Sequence, residues 1–254
     1  MAGTVHFESR GRIAVITVDH APVNALGRDV RAGLVEAIER FEADAAEIAV
    51  IHGAGRLFIG GADISEFGKP PMEPSLPDVV NRIEACTKPV VAAIHGAALG
   101  GGLEVALGAH YCIAVPGAQL GLPETKLGVI PGAGGTQRTP RLVGAEAAIE
   151  MATTGTPVPA TKAVEMGLVD RLGEGEALDS GLAYAEELLQ QGAGPRLCAR
   201  SRPRHMTRRC STRAAPRSER SCAARWHRWP RSTRSRPPRR WASTRASPRS
   251  AASS

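Results

Sequence analysis

The sequence predicts an α/β layered domain, on three observations. Short β-branched or apolar runs alternate with amphipathic stretches at helical spacing, glycine-rich turns punctuate them, and the pattern holds to about residue 194 and then stops. Strands that alternate with helices bury a sheet between helical layers.

The elements follow in order. Ile13 to Val18 is a β-branched strand, broken by Pro22, Asn24 and Gly27 before an amphipathic helix from Asp29 to Phe41. Ile48 to Ile51 repeats the strand, meets Gly53 and Gly55, and leads to the turn Gly60-Gly61-Ala62-Asp63. After Lys69-Pro70-Pro71, the stretch Leu76 to Cys86 carries Leu76, Val79, Val80 and Ile83 at helical spacing. Pro89 to Ile94 is a continuous apolar strand, Gly100-Gly101-Gly102 leads into Leu103 to Leu107, and Tyr111 to Val115 is a further strand. Ala145 to Ala152, Ala160 to Met166 and Leu178 to Gln191 read as helices between Gly and Pro breaks.

Charge divides the chain. Residues 1–194 carry 14 Lys+Arg against 24 Asp+Glu, a net −10, whereas residues 195–254 carry 18 Arg against one acid, Glu219, a net +17. That second part has no Val, Ile, Phe or Gly and a single Leu, so it lacks an apolar face to offset the entropy of ordering. The expected organisation is a folded domain over 1–194 and a disordered or frame-shifted Arg/Ser/Pro/Ala-rich tail over 195–254. No apolar segment of signal-peptide type follows Met1, and no uncharged run is free of glycine breaks over a membrane's width, so a soluble cytoplasmic protein is expected. The five cysteines lack CxxC spacing and read as free thiols.

The chemistry is expected at two glycine-rich turns, Phe58-Ile59-Gly60-Gly61-Ala62-Asp63-Ile64 and Ala98-Leu99-Gly100-Gly101-Gly102-Leu103-Glu104. Bare backbone N–H groups from two separate turns can polarise one carbonyl. Glu104 ends the second turn and Glu124 lies 20 residues on in Leu122-Pro123-Glu124, both set in apolar sequence. Two carboxylates near one site push their pKa values apart, which divides acid from base. Other classes find less support. There is no GxSxG elbow, and Ser9, Ser65, Ser75 and Ser180, the serines of residues 1–194, sit in no nucleophile-like turn. His95 and His110, the latter close to Cys112, complete no metal-ligand spacing and read as packed core residues; no metal is expected. Lys126 and Arg138 read as phosphate contacts of a ligand or as solvated surface charges.

Over residues 5–194 the sequence resembles the enoyl-CoA hydratase/isomerase (crotonase) family, motif by motif and in order. The motifs are Asn24-Ala25-Leu26, the Phe58–Ile64 turn, Lys88-Pro89-Val90-Val91-Ala92-Ala93, Gly100–Glu104, Leu122-Pro123-Glu124 and Pro131-Gly132-Ala133-Gly134-Gly135-Thr136-Gln137-Arg138. The resemblance implies a crotonase-like spiral of repeated ββα units acting on an acyl-CoA thioester, with no cofactor beyond the substrate's own CoA. It places the oxyanion hole at the amides of Ala62 and Gly101, the catalytic carboxylates at Glu104 and Glu124, and substrate contacts at Gly60, Gly61, Asp63, Ile64, Leu99, Gly100, Pro131 and Gly132. The implied reaction is hydration of a trans-2-enoyl-CoA, as in fatty-acid β-oxidation, with Δ3-to-Δ2 isomerisation as the alternative. It also implies a homo-oligomer, trimer or hexamer.

The wording Glu66-Phe67-Gly68-Lys69-Pro70-Pro71 and Leu76-Pro77-Asp78-Val79 looks most like the hydratase modules of bifunctional enzymes, yet no GxGxxG follows for an NAD domain. Beyond residue 194 the resemblance fails, where the family's terminal helices would stand. Arg, Ser, Pro, Ala, Trp and Cys without Lys or Ile is what a shifted reading frame in a GC-rich coding sequence produces. The alternative is a genuine basic arm that binds nucleic acid or anionic lipid, with Trp226, Trp229 and Trp241 for stacking.

Overall fold

The structure, a computed structural model, describes residues 3–198. In chain order these form β1 (Thr4–Arg10), β2 (Ile13–Asp19), α1 (Arg28–Ala43), β3 (Ile48–Gly53), α2 (Leu76–Glu84), β4 (Val90–Ile94), β5 (Ala97–Leu99) and α3 (Gly101–Gly108). There follow β6 (Tyr111–Ala114), β7 (Gln119–Gly121), α4 (Gly135–Val143), α5 (Ala145–Thr154), β8 (Val158–Pro159), α6 (Ala160–Glu165), β9 (Arg171–Leu172) and α7 (Ala177–Gln190). Short 3-10 turns occupy Ile64–Glu66 and Pro123–Leu127.

The larger sheet has the order β1-β2-β3-β4-β6-β9. β1 pairs antiparallel with β2, and from β2 onward every pairing in it is parallel. A second layer is built from short pairings: β5 with β7 in parallel, β7 with β8 antiparallel, and single bridges Leu26 to Ala62 and Ile59 to Ala98. The chain therefore repeats one unit. A strand of the large sheet leads to a brief pairing in the second layer and then to a helix: β2, Leu26, α1; β3, Ile59 and Ala62, α2; β4, β5, α3. This is the strand–strand–helix repeat that the resemblance implied.

The strands β2, β3, β4 and β6 are largely buried on both faces, which explains why their sequences are mostly apolar rather than alternating. Ala49, Ile51, Val90, Ala92, Ile94 and Ala114 belong to the main core with α1, α2 and α3. Val50, Val91, Ala93 and Ile113 belong to a second cluster with Tyr184, Ala185 and Leu188 of α7. Successive residues point to opposite faces, so one strand feeds both clusters.

The ten segments read from the sequence pattern lie within or across observed elements, differing by a few residues at their ends. Six elements went unread. β5 and β7 have three residues each and β8 and β9 two, too few for a period to register. β1 is mostly exposed, and α4 opens on Gly135 and contains Pro140, both poor helix signals. Arg196 lies past the compositional boundary at residue 195, yet its Nε donates to His110 O at 2.7 Å and its guanidinium pairs with Asp170. Residues 199–254, on which the expectations of a disordered, frame-shifted or basic arm chiefly fall, lie outside the described residues. No helix among the described residues is long and apolar enough to cross a membrane.

Candidate active site

Glu104 sits on the first turn of α3 and is 2% exposed. A buried carboxylate needs donors, and two are supplied: the amides of Ala133 and Gly135 donate to Oε1 at 2.7 and 2.8 Å. Burial pushes the Glu104 carboxyl up from its ordinary range, and the Gly135 amide, the Ala133 amide and the Arg138 charge oppose it. Glu124 stands on the turn Pro123–Leu127 and differs in kind. Both its carboxylate oxygens are buried, and no other described residue donates to either. Burial, with the Glu104 charge as a smaller contribution and the Glu124 backbone amide in partial opposition, pushes its pKa up to about 7. The two carboxyls line one cavity of about 420 Å³.

The glycine turns meet at the same cavity. Gly101 opens α3 just after Gly100, whose φ of +51° is the left-handed region that favours glycine. A Cβ on Gly101 would lie 3.4 Å from the Ala62 nitrogen and 2.6 Å from Leu76 Cδ2, so the backbones of the two turns approach closely only because that carbon is missing. Among the described residues neither the Ala62 nor the Gly101 amide donates to an internal acceptor. The turns are tied together by Leu99 N donating to Ile59 O at 3.2 Å, and Gly100 N donates to Gly121 O at 2.9 Å beside the Glu124 segment. Two unspent amides converge on a cavity that also holds two carboxyls.

Of the residues expected at the site, Gly60, Gly61, Ala62, Ile64, Gly100, Gly101, Glu104, Glu124 and Gly132 line this cavity. Asp63, Leu99 and Pro131 do not. Asp63 instead caps the turn Ile64–Glu66, its Oδ1 accepting from Ser65 N at 2.9 Å. Leu99 is a strand residue of β5, and Pro131 packs against Gly135. The cavity's apolar wall, including Phe67, Leu76, Leu127, Val129 and Ile130, was not legible from spacing.

Two arginines behind the site also went unread as such. Arg138 is neither a solvated charge nor exposed to a phosphate: it is 3% exposed, with Nη2 2.6 Å from Glu84 Oε2. Arg31, also buried, pairs with Glu66 at 2.7 Å and donates to Pro74 O and Met72 O at 2.7 and 3.0 Å, which pins the loop between Glu66 and Ser75. His110 is a core residue, its Nδ1 accepting from Val90 N at 2.9 Å while Nε2 donates to Glu84 O at 3.1 Å. His95 is partly buried beside Gly55 O. Lys126 is exposed, and no cluster of three potential metal ligands occurs among the described residues.

Residues 8–220 match the family model described as enoyl-CoA hydratase/isomerase, and this span contains both glycine turns, both glutamates and the loop that holds Glu104. The chain belongs to the enoyl-CoA hydratase/isomerase family. Among its relatives, the peroxisomal bifunctional enzyme of Danio rerio is 49% identical over 174 residues, which are 68% of this chain and 24% of that one. A probable enoyl-CoA hydratase of Bacillus subtilis is 42% identical over 189 residues, 70% of this chain and 73% of that one. This chain thus spans about a quarter of the bifunctional relative and most of the shorter one. In solved structures, the enoyl-CoA hydratase of Mycobacterium tuberculosis superposes with a TM-score of 0.68 at 36% identity, covering 73% of this chain and 75% of that one. DspI of Pseudomonas aeruginosa gives a TM-score of 0.70 at 34% identity, covering 74% and 75%. The family match runs past the compositional boundary near residue 195.

Proposed function

We propose that this chain hydrates the 2,3 double bond of a trans-2-enoyl-CoA to a 3-hydroxyacyl-CoA. The observation that carries the reading is the unequal pair of carboxyls on one cavity. Glu104 has one oxygen held by two amides, whereas Glu124 has no donor from another residue and a pKa of about 7. At neutral pH such a Glu124 is protonated in a large share of molecules and can give its proton, while Glu104 can receive one.

The thioester oxygen would accept from the Ala62 and Gly101 amides, which stabilise the charge it gains as an enolate. Water held between the carboxyls attacks C3, its proton passing to Glu104 as the new C–O bond forms. The π electrons move onto the thioester, and C2 takes the Glu124 proton as the carbonyl re-forms. Proton exchange with solvent then returns Glu104 to its ionised form and Glu124 to its acid form. Every step is proton transfer or charge stabilisation, so the carboxyls and amides suffice without a cofactor beyond the substrate's CoA.

Isomerisation of a 3-enoyl-CoA is a second reading, favoured by one observation: a Glu124 with a pKa near 7 suits removal and return of a single proton without a second carboxylate. Loss of the conjugated enoyl absorbance on addition of the full chain to trans-2-enoyl-CoA esters of increasing length tests hydration. Turnover of at least one ester supports the reading, and none across the series would overturn it.

A further inference from the structure

Glu104 is held from behind through a chain of contacts that starts on another helix. Arg138 of α4 places Nη2 2.6 Å from Glu84 Oε2 and 3.0 Å from Asn81 Oδ1, both on α2, while its Nη1 donates to Ala133 O at 3.2 Å. Ala133 faces the other way as well, its amide donating to Glu104 Oε1 at 2.7 Å. The same peptide stretch carries the Gly135 amide, the second donor to that oxygen. Arg138 thus grips the carbonyl side of the loop whose amide side grips the carboxylate. Both members of the Arg138–Glu84 pair are buried, and burial of two charges is costly unless the geometry and remaining hydrogen bonds are good. A planar guanidinium suits this position because it presents donors in a fixed fork, one arm to the α2 pair and the other to the loop.

We infer that Arg138 is a positioning residue for the hydration site, clamped by Glu84 and Asn81 so that the Ala133–Gly135 amides stay fixed on Glu104 Oε1 and Oε2 is left to meet the reactant. The inference rests on the reading of Glu104 as the carboxylate that activates water. It also makes the charge state of Glu104 depend on α2, a helix that supplies no carboxyl to the cavity. The groups that face Glu104 from the elements around it are few. Arg138 comes from α4, with Glu84 of α2 paired to it, and Glu124 from the turn Pro123–Leu127. Around the far end of α3 stand Cys112, whose thiol burial pushes up, and His110, which burial pushes down. Arg138 alone among these brings a positive charge toward Glu104, and it lowers that carboxyl.

The two members of the pair should therefore act on Glu104 with opposite sign. The test is a carbon-13 NMR titration of glutamate-labelled full chain, with the Glu104 carboxyl assigned by its loss in Glu104→Gln, alongside kcat and KM for hydration. Arg138→Met removes the positive charge and should move the Glu104 transition up by about half a pH unit or more. Glu84→Gln leaves Arg138 without its counter-charge and should move it down. Arg138→Lys keeps the charge and loses the fork, so the transition should stay near that of the parent while kcat falls about tenfold or more with KM little changed. Where Arg138→Met does not fold, Glu84→Gln and Arg138→Lys carry the test. Folded variants that leave both the Glu104 transition and kcat at parental values would overturn the inference. A parent chain without hydration activity would overturn the functional reading alone, because the opposite shifts of the Glu104 transition are read without substrate.

Discussion

The Gly135 amide donates to Glu104 Oε1 at 2.8 Å, so the carboxylate of one helix residue is fixed by the backbone at the start of another helix, 31 positions away. With the Ala133 amide on the same oxygen, Glu104 has a set orientation before any substrate arrives. Glu124 is left without a donor from another residue in a wall of apolar side chains. Two carboxyls of the same chemistry thereby acquire different proton affinities from their surroundings.

This difference separates hydration from isomerisation. Glu104→Gln should abolish most hydration yet leave Δ3-to-Δ2 isomerisation measurable, whereas Glu124→Gln should reduce both by about 10² or more, the usual contribution of a general acid–base group. Rates of water addition and of double-bond migration in the two variants check this. Equal loss of both reactions in Glu104→Gln would contradict the division of roles.

A side chain at Gly101 should be intolerable for catalysis. The added Cβ would stand 2.6 Å from Leu76 Cδ2 and 3.4 Å from the Ala62 nitrogen, between the two amides proposed to hold the thioester oxygen. Gly101→Val should cost about 3 kcal/mol or more of transition-state stabilisation, the scale of a lost oxyanion donor. Steady-state kinetics on the folded variant, with folding checked by its melting transition, give the value.

Glu124 should cost the fold stability at alkaline pH. Its folded pKa of about 7 lies above its unfolded value, so between the two the native state holds a proton that the unfolded chain has released. The Glu124 contribution is therefore favourable at low pH, declines as pH rises from the unfolded value, and reaches its full penalty above about 7. Glu124 as a whole is only part-buried, so solvent screening reduces the size of the effect but not its sign. Glu124→Gln should melt higher than the parent at pH 8, and the gap should close at acid pH. Thermal melts of both chains across that range decide it.

Asn24 should matter for stability although it touches no substrate-lining atom named above. It is 3% exposed, and its Nδ2 lies 2.9, 2.9 and 3.1 Å from the carbonyl oxygens of Ala54, Leu57 and Phe58, at the start of the segment that leads to Ala62. Its φ of +51° is one that alanine adopts poorly. Asn24→Ala should lower unfolding free energy by about 2–3 kcal/mol, because buried carbonyls lose their donor. Denaturant titration provides the measurement.

The sequence carried Glu104 and Glu124 plainly, because each follows a short motif whose glycines or proline fix the backbone locally. The strands β2, β3, β4 and β6 were legible for a related reason: burial on both faces leaves an uninterrupted apolar run. Arg138 was not legible. Nothing within its own helix marks it as buried, since its partners Glu84 and Asn81 are more than 50 residues earlier and meet it only through the packing of α4 near α2. Arg31 escaped notice in the same way, its partner Glu66 being 35 residues on. Cavity walls such as Val129 and Ile130 lie outside regular elements, where no period exists to read.

The central claim is that Glu104 and Glu124 act together on one water, and it is tested most directly by the hydration rate of a trans-2-enoyl-CoA ester at neutral pH. The parent full chain, Glu104→Gln and Glu124→Gln are compared under identical conditions. The account predicts saturable hydration by the parent and a fall in kcat of about 10² or more in each variant, with much smaller changes in KM. Hydration at parental kcat by either folded variant would contradict it.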